Sequence, residues 1–62
     1  MNNSLEKYGI SELVYDVIVY HLERSNLVKA VKTFRFHTTM ELYESVQVIN
    51  SLKYKLQKMG KI

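Results

Sequence analysis

The chain has no cysteine and no proline, and only two glycines and two histidines among its 62 residues. Without cysteine, disulfides and every thiolate-based zinc or redox site are excluded. His21 and His37 are too few for a histidine ligand set, so no metal or other cofactor is expected. With glycine confined to Gly9 and Gly60, no Gly-rich loop can cradle a phosphate, and neither a serine elbow nor a metal-ligand spacing occurs. No apolar run approaches the length of a membrane span, and no secretion-signal pattern is present, so a cytoplasmic protein without a membrane partner is expected. The lack of proline and of low-complexity sequence leaves no linker. One domain is the expectation.

What is present argues for a folded chain. Hydrophobic residues make up 47% of it, and five are tyrosines. A domain this short buries only about 60% of the surface its unfolded form exposes. With disulfide and metal both excluded, self-association is the remaining means of adding stability. Charge is unevenly placed. Residues 1–28 hold Lys7 and Arg24 against Glu6, Glu12, Asp16 and Glu23, a net −2. Residues 29–62 hold seven basic side chains against Glu41 and Glu44, a net +5, and the last ten carry four lysines and no acid. An anionic partner fits that half.

Residues 33–37 alternate, with Phe34 and Phe36 on one side and Thr33, Arg35 and His37 on the other, the repeat of a half-buried strand. Thr38 reads as a helix N-cap with Glu41 at capping-box spacing. Leu42, Val46 and Ile49 then recur at helical spacing, with Glu41, Glu44, Gln47 and Ser51 opposite. Lys53 falls on the apolar side of that helix, which is therefore expected to stop after Leu52. Tyr54 and Leu56 alternating with Lys53, Lys55 and Gln57 give a further strand.

Residues 12–23 fit two descriptions. As a helix capped by Ser11 they gather Leu13, Val14, Val17, Ile18 and Leu22 into one stripe; as a strand they are dense in β-branched and aromatic residues. A hairpin register favours the strand. With residues 23–26 as a loop and Leu22 paired to Leu27, one face collects Leu13, Tyr15, Val19, Val28, Phe34 and Phe36. The other holds Val14, Asp16, Ile18, Tyr20, Lys29, Val31, Thr33 and Arg35. Lys32, opposite Val17, is the one misfit.

The fold expected is α+β: a ββαβ domain over residues 12–62, its three-stranded mixed sheet in order 2-1-3 with one helix on one face. Residues 1–11 read as a lead-in, either a single capped turn ended by Gly9 or a disordered segment. The alternative is an all-α helical hairpin with residues 39–59 as one helix.

In that register His21 and His37 lie at opposite ends of the hairpin, and no residue is assigned to catalysis. An enzyme is not expected. The uncovered sheet face supplies a protein interface of Val14, Ile18, Tyr20 and Val31, extended by Leu22 and Leu27. Lys29, Arg35, Lys53, Lys55 and Lys58 are the candidates for contact with an anion or nucleic acid. The function expected is a non-enzymatic protein-interaction module, a homo-oligomer (a dimer above all) that binds and inhibits or modulates a larger protein. Nucleic-acid binding by the basic face is the alternative, although a base-stacking sheet needs two or three exposed aromatics and only Tyr20 qualifies. In size, lack of cysteine and ββαβ pattern the chain resembles small phage-encoded accessory proteins. That resemblance implies a partner among host enzymes and a place in the host cytoplasm, and it points to no residue.

Overall fold

The computed structural model describes residues 3–62, and every regular element among them is helical. A 3-10 turn, Glu6–Tyr8, precedes three α-helices: α1 Glu12–Glu23, α2 Leu27–Phe36 and α3 Leu42–Lys58. The expected ββαβ sheet and its α+β class are overturned, and the all-helical alternative is closer.

The reason is plainest in α2. Leu27, Ala30, Val31 and Phe34 stand at i, i+3, i+4 and i+7, the spacing of one helical face. Ala30, Val31 and Phe34 are buried and Leu27 half-buried. Lys32, the misfit of the hairpin register, simply points to solvent. Phe36 was expected to pack beside Phe34, but two residues along a helix turn a side chain by about 200°. Phe34 is fully buried and Phe36 is 84% exposed.

In α1 the expected strand gives way for the same reason. Ser11 caps the helix, its Oγ accepting from the Val14 N–H at 3.3 Å. Ile18 and Leu22, one turn apart, are buried, and Val14, Tyr15 and Val19 are half-buried around them. The β-branched residues that suggested a strand carry only a small helical penalty, which burial of this face outweighs. The chain reverses in three residues. Ser25 takes a left-handed conformation (φ 58°), its N–H donating to the Leu22 carbonyl at 3.0 Å while the Asn26 N–H donates to that of His21 at 2.8 Å. These two bonds satisfy carbonyls that the helix end leaves unpaired. Asn26 then caps α2, accepting from the Lys29 N–H at 3.2 Å.

Helix α3 runs straight through the expected strand at 53–57. Ser45, Ile49, Leu52 and Leu56 keep one buried face throughout. Lys53, which was expected to end the helix, lies half-buried at the margin of that face, where a long aliphatic stem can cover apolar surface. The helix also starts later than the capping box implied. Glu41 is itself the N-cap and makes no side-chain bond, while Thr38 Oγ1 only accepts a long 3.4 Å bond from the Met40 N–H. Lys55 and Lys58 in the last turn suit the negative end of the helix dipole.

The lead-in folds onto this hairpin and helix. Asn3 braces it from both ends: Oδ1 accepts from the Leu5 N–H at 3.0 Å and Nδ2 donates to the Ile10 carbonyl at 2.8 Å. Gly9, at φ 82°, ends the 3-10 turn in the left-handed region. Leu5 and Ile10 are buried in the core, and the Tyr8 ring stands edge-on to Phe34 at 5.6 Å between centroids. Residues 1 and 2 of the expected lead-in lie outside the described residues.

Ser45 is the buried polar side chain of the described residues, and its Oγ has no hydrogen-bond partner. Such a hydroxyl lowers stability, and alanine is the better helix former. Ser45→Ala is expected to raise stability by up to about 1 kcal/mol. A chemical denaturation midpoint below that of the parent contradicts this.

A basic apolar groove as the candidate interface

The helical fold redistributes the residues expected on an open sheet. Ile18, Leu22 and Val31 are core, with 0%, 3% and 6% of their surface exposed. Val14 is half-buried on α1, and Tyr20 is exposed on the opposite side of that helix. The interface of Val14, Ile18, Tyr20, Leu22, Leu27 and Val31 is thus not one surface. Its physical basis, a sheet face without cover and two unpaired strand edges, is missing because no strand occurs among the described residues.

Two of the six, Leu27 and Val31, do border a surface of another kind. A groove of about 350 Å³ runs between α2 and the start of α3. From α2 it takes Leu27, Val28, Val31, Lys32 and Arg35, and from α3 it takes Leu42 and Val46. Val28 and Leu42 are 65% and 55% exposed. With the half-buried Leu27 and Val46 beside them, they make the groove an open apolar patch. The α2 residues follow from its register: Leu27, Val31 and Arg35 are successive turns of one line, while Val28, Lys32 and Arg35 form the outer rim. Leu42 and Val46 are likewise one turn apart on α3.

Lys32 and Arg35 are the charged residues of the groove, and no acid lines it. The surface is therefore apolar along its floor and positive along its rim. Sequence reasoning placed Val28, Leu42 and Val46 inside a sheet–helix core and had no account of Lys32. The available signal was that Leu27, Ala30, Val31 and Phe34 share one face only on a helix, which leaves Val28 and Lys32 outside it.

The other basic candidates are divided between two helices. Lys29 is exposed on α2, one turn before Lys32 and outside the groove, and Lys55 borders a separate cleft of about 320 Å³ between the lead-in and α3. Lys58 Nζ rests 5.5 Å from the centre of the Tyr54 ring. Lys53 and Lys55, two residues apart, diverge by about 200° around the helix. Lys58, three residues past Lys55, shares its side of α3, so two of the three basic side chains of that helix line up and Lys53 stands apart.

His21 and His37 sit at opposite ends of the α1–α2 hairpin, the first in the last turn of α1 and the second as the C-cap of α2. Among the described residues no three His, Asp or Glu side chains converge on a metal-sized site. No helix among them is long and apolar enough to cross a membrane. Comparison with known family models, with curated proteins and with solved structures finds no match.

Proposed function

We propose that this chain is a non-enzymatic protein-interaction module whose α2–α3 groove receives an amphipathic helix with an apolar spine and acidic flanks, presented by another protein. The observation that carries the reading is the groove itself: an apolar lining with exposed Leu42 and, on the rim, exposed Val28 beside Lys32 and Arg35 and no acid. Helix-in-groove docking uses anchors at i, i+3, i+4 and i+7, and opposite charge at the rim sets orientation and speeds encounter. The resemblance to phage-encoded accessory proteins loses its ββαβ element, so the groove chemistry, not that likeness, supports the reading. A nucleic-acid partner draws less support, because the groove is mainly apolar and of the α3 lysines only Lys55 and Lys58 share a side.

The test uses fluorescence anisotropy with synthetic amphipathic helices of about four turns. One peptide has a leucine face flanked by glutamates, a second the same face flanked by lysines, and a third is a single-stranded oligonucleotide control. The Leu/Glu helix is expected to bind, and the Lys32→Glu, Arg35→Glu double variant to weaken it by about tenfold or more. Equal binding of both peptides, or preference for the oligonucleotide, contradicts the proposal.

A further inference from the structure

We infer that, in the absence of a partner helix, a second copy of this chain occupies the groove, with α1 of one copy lying in the α2–α3 groove of the next; this rests on the groove reading above. Helix α1 carries a second apolar line on its outer side. Leu13, Val17 and Tyr20 stand at i, i+4 and i+7, exposed by 75%, 39% and 52%, while Ile18 and Leu22 fill the inner face. Glu12, Asp16 and Glu23, all exposed, flank that line. Against these three acids stand two cations: Arg24, whose guanidinium lies over the Tyr20 ring at 5.5 Å, and Lys61, which lines one cleft with Asp16 and Glu23. The outer face of α1 is therefore an apolar spine with a surplus of acid, the chemistry the groove lacks and suits.

Sizes agree as well as charges. The spine from Leu13 to Tyr20 rises about 10 Å, and the α2 wall from Leu27 to Arg35 about 12 Å. Pairing α1 with a copy of itself is disfavoured, because an antiparallel pair sets the acidic flank of one helix against the acidic flank of the other. The groove is equally unsuited to a copy of itself, since its rim carries Lys32 and Arg35 alone. Each surface matches the other and neither matches itself. Contact between two different patches is head-to-tail, so growth continues into a chain or a closed ring unless one end is blocked. A partner helix in the groove competes with this assembly, so binding a partner disperses the copies.

The experiment blocks one end at a time. Asp16→Lys spoils the α1 face and leaves the groove intact; Lys32→Glu spoils the groove and leaves α1 intact. Both side chains are exposed, so the fold is retained, as far-UV circular dichroism checks. By light scattering at low salt, the parent is expected to exceed the mass of two 7.3 kDa chains as concentration rises, and to fall back at high salt. Each variant alone is expected to stay at one chain. Their equimolar mixture is expected to regain mass, because the native α1 face of one variant fits the native groove of the other and the two reversed charges complement each other. A parent of one-chain mass throughout, variants that still assemble, or a mixture that does not pair overturns the inference. The Leu/Glu peptide separates the two levels: binding without self-assembly removes this inference alone, and failure of both removes the groove reading too.

Discussion

Ile18→Lys unfolds the chain at every concentration, whereas Val17→Lys leaves it helical. Ile18 has no exposed surface and lies in the cluster with Leu22, Ala30 and Phe34. An ammonium there has neither water nor a counter-charge, a penalty of several kcal/mol. Domains of ordinary size hold about 5–15 kcal/mol in total, and a 62-residue chain belongs at the low end. Val17, one position earlier and 39% exposed, turns outward, so a lysine there keeps its charge in solvent. The pair also separates the helical fold from a sheet. On a sheet with Ile18 on an open face, the lysine at 18 is the tolerated one and the lysine at 17 the damaging one. Far-UV circular dichroism and thermal melts read the difference directly. A cooperative helical melt for Ile18→Lys contradicts the fold.

Phe34→Ala is the second large effect, about 3–5 kcal/mol. Phe34 is the largest fully buried side chain and joins three parts of the molecule. It belongs to the inner line of α2, shares the core with Ile18 of α1 and Ile49 of α3, and receives the edge of Tyr8 from the lead-in. Truncation leaves a cavity and frees the lead-in from its aromatic anchor. Phe36→Ala, two residues on and 84% exposed, is the matched control, expected to change stability by less than about 0.5 kcal/mol. Urea titration of the two variants measures the contrast. Equal losses for the two indicate that the phenylalanines share a face, as they would on a strand.

That contrast shows where the sequence was legible. The punctuation was readable: Glu23–Asn26 as the first reversal and Ser11 as the cap of a helix, if residues 12–23 are read as one. Element type was not. Phe34 and Phe36 look like alternation because both are aromatic, yet one is core and the other surface, and residue type alone does not tell them apart. The better witness was Lys32. A strand register had to tolerate it among apolar neighbours, while the helical spacing of Leu27, Ala30, Val31 and Phe34 places it in solvent without strain. Lys53 misleads in the opposite direction: a lysine at the edge of a helical face reads as the end of the helix, although it lies half-buried at the margin of that face, where a long stem can cover apolar surface. The interface was obscured for the same reason. A groove exists only once two helices lie side by side, and Val28, Leu42 and Val46 come from segments that the sheet assigned to its own interior.

The groove reading has its most direct test in backbone amide NMR of the uniformly 15N-labelled chain during titration with the Leu/Glu helix. Shift changes are expected to concentrate at Leu27, Val28, Val31, Lys32, Arg35, Leu42 and Val46, leaving the outer face of α3 around Tyr54 and Lys58 quiet. Changes confined to Tyr54, Lys58 and the basic end of α3, or none at saturating peptide, contradict it.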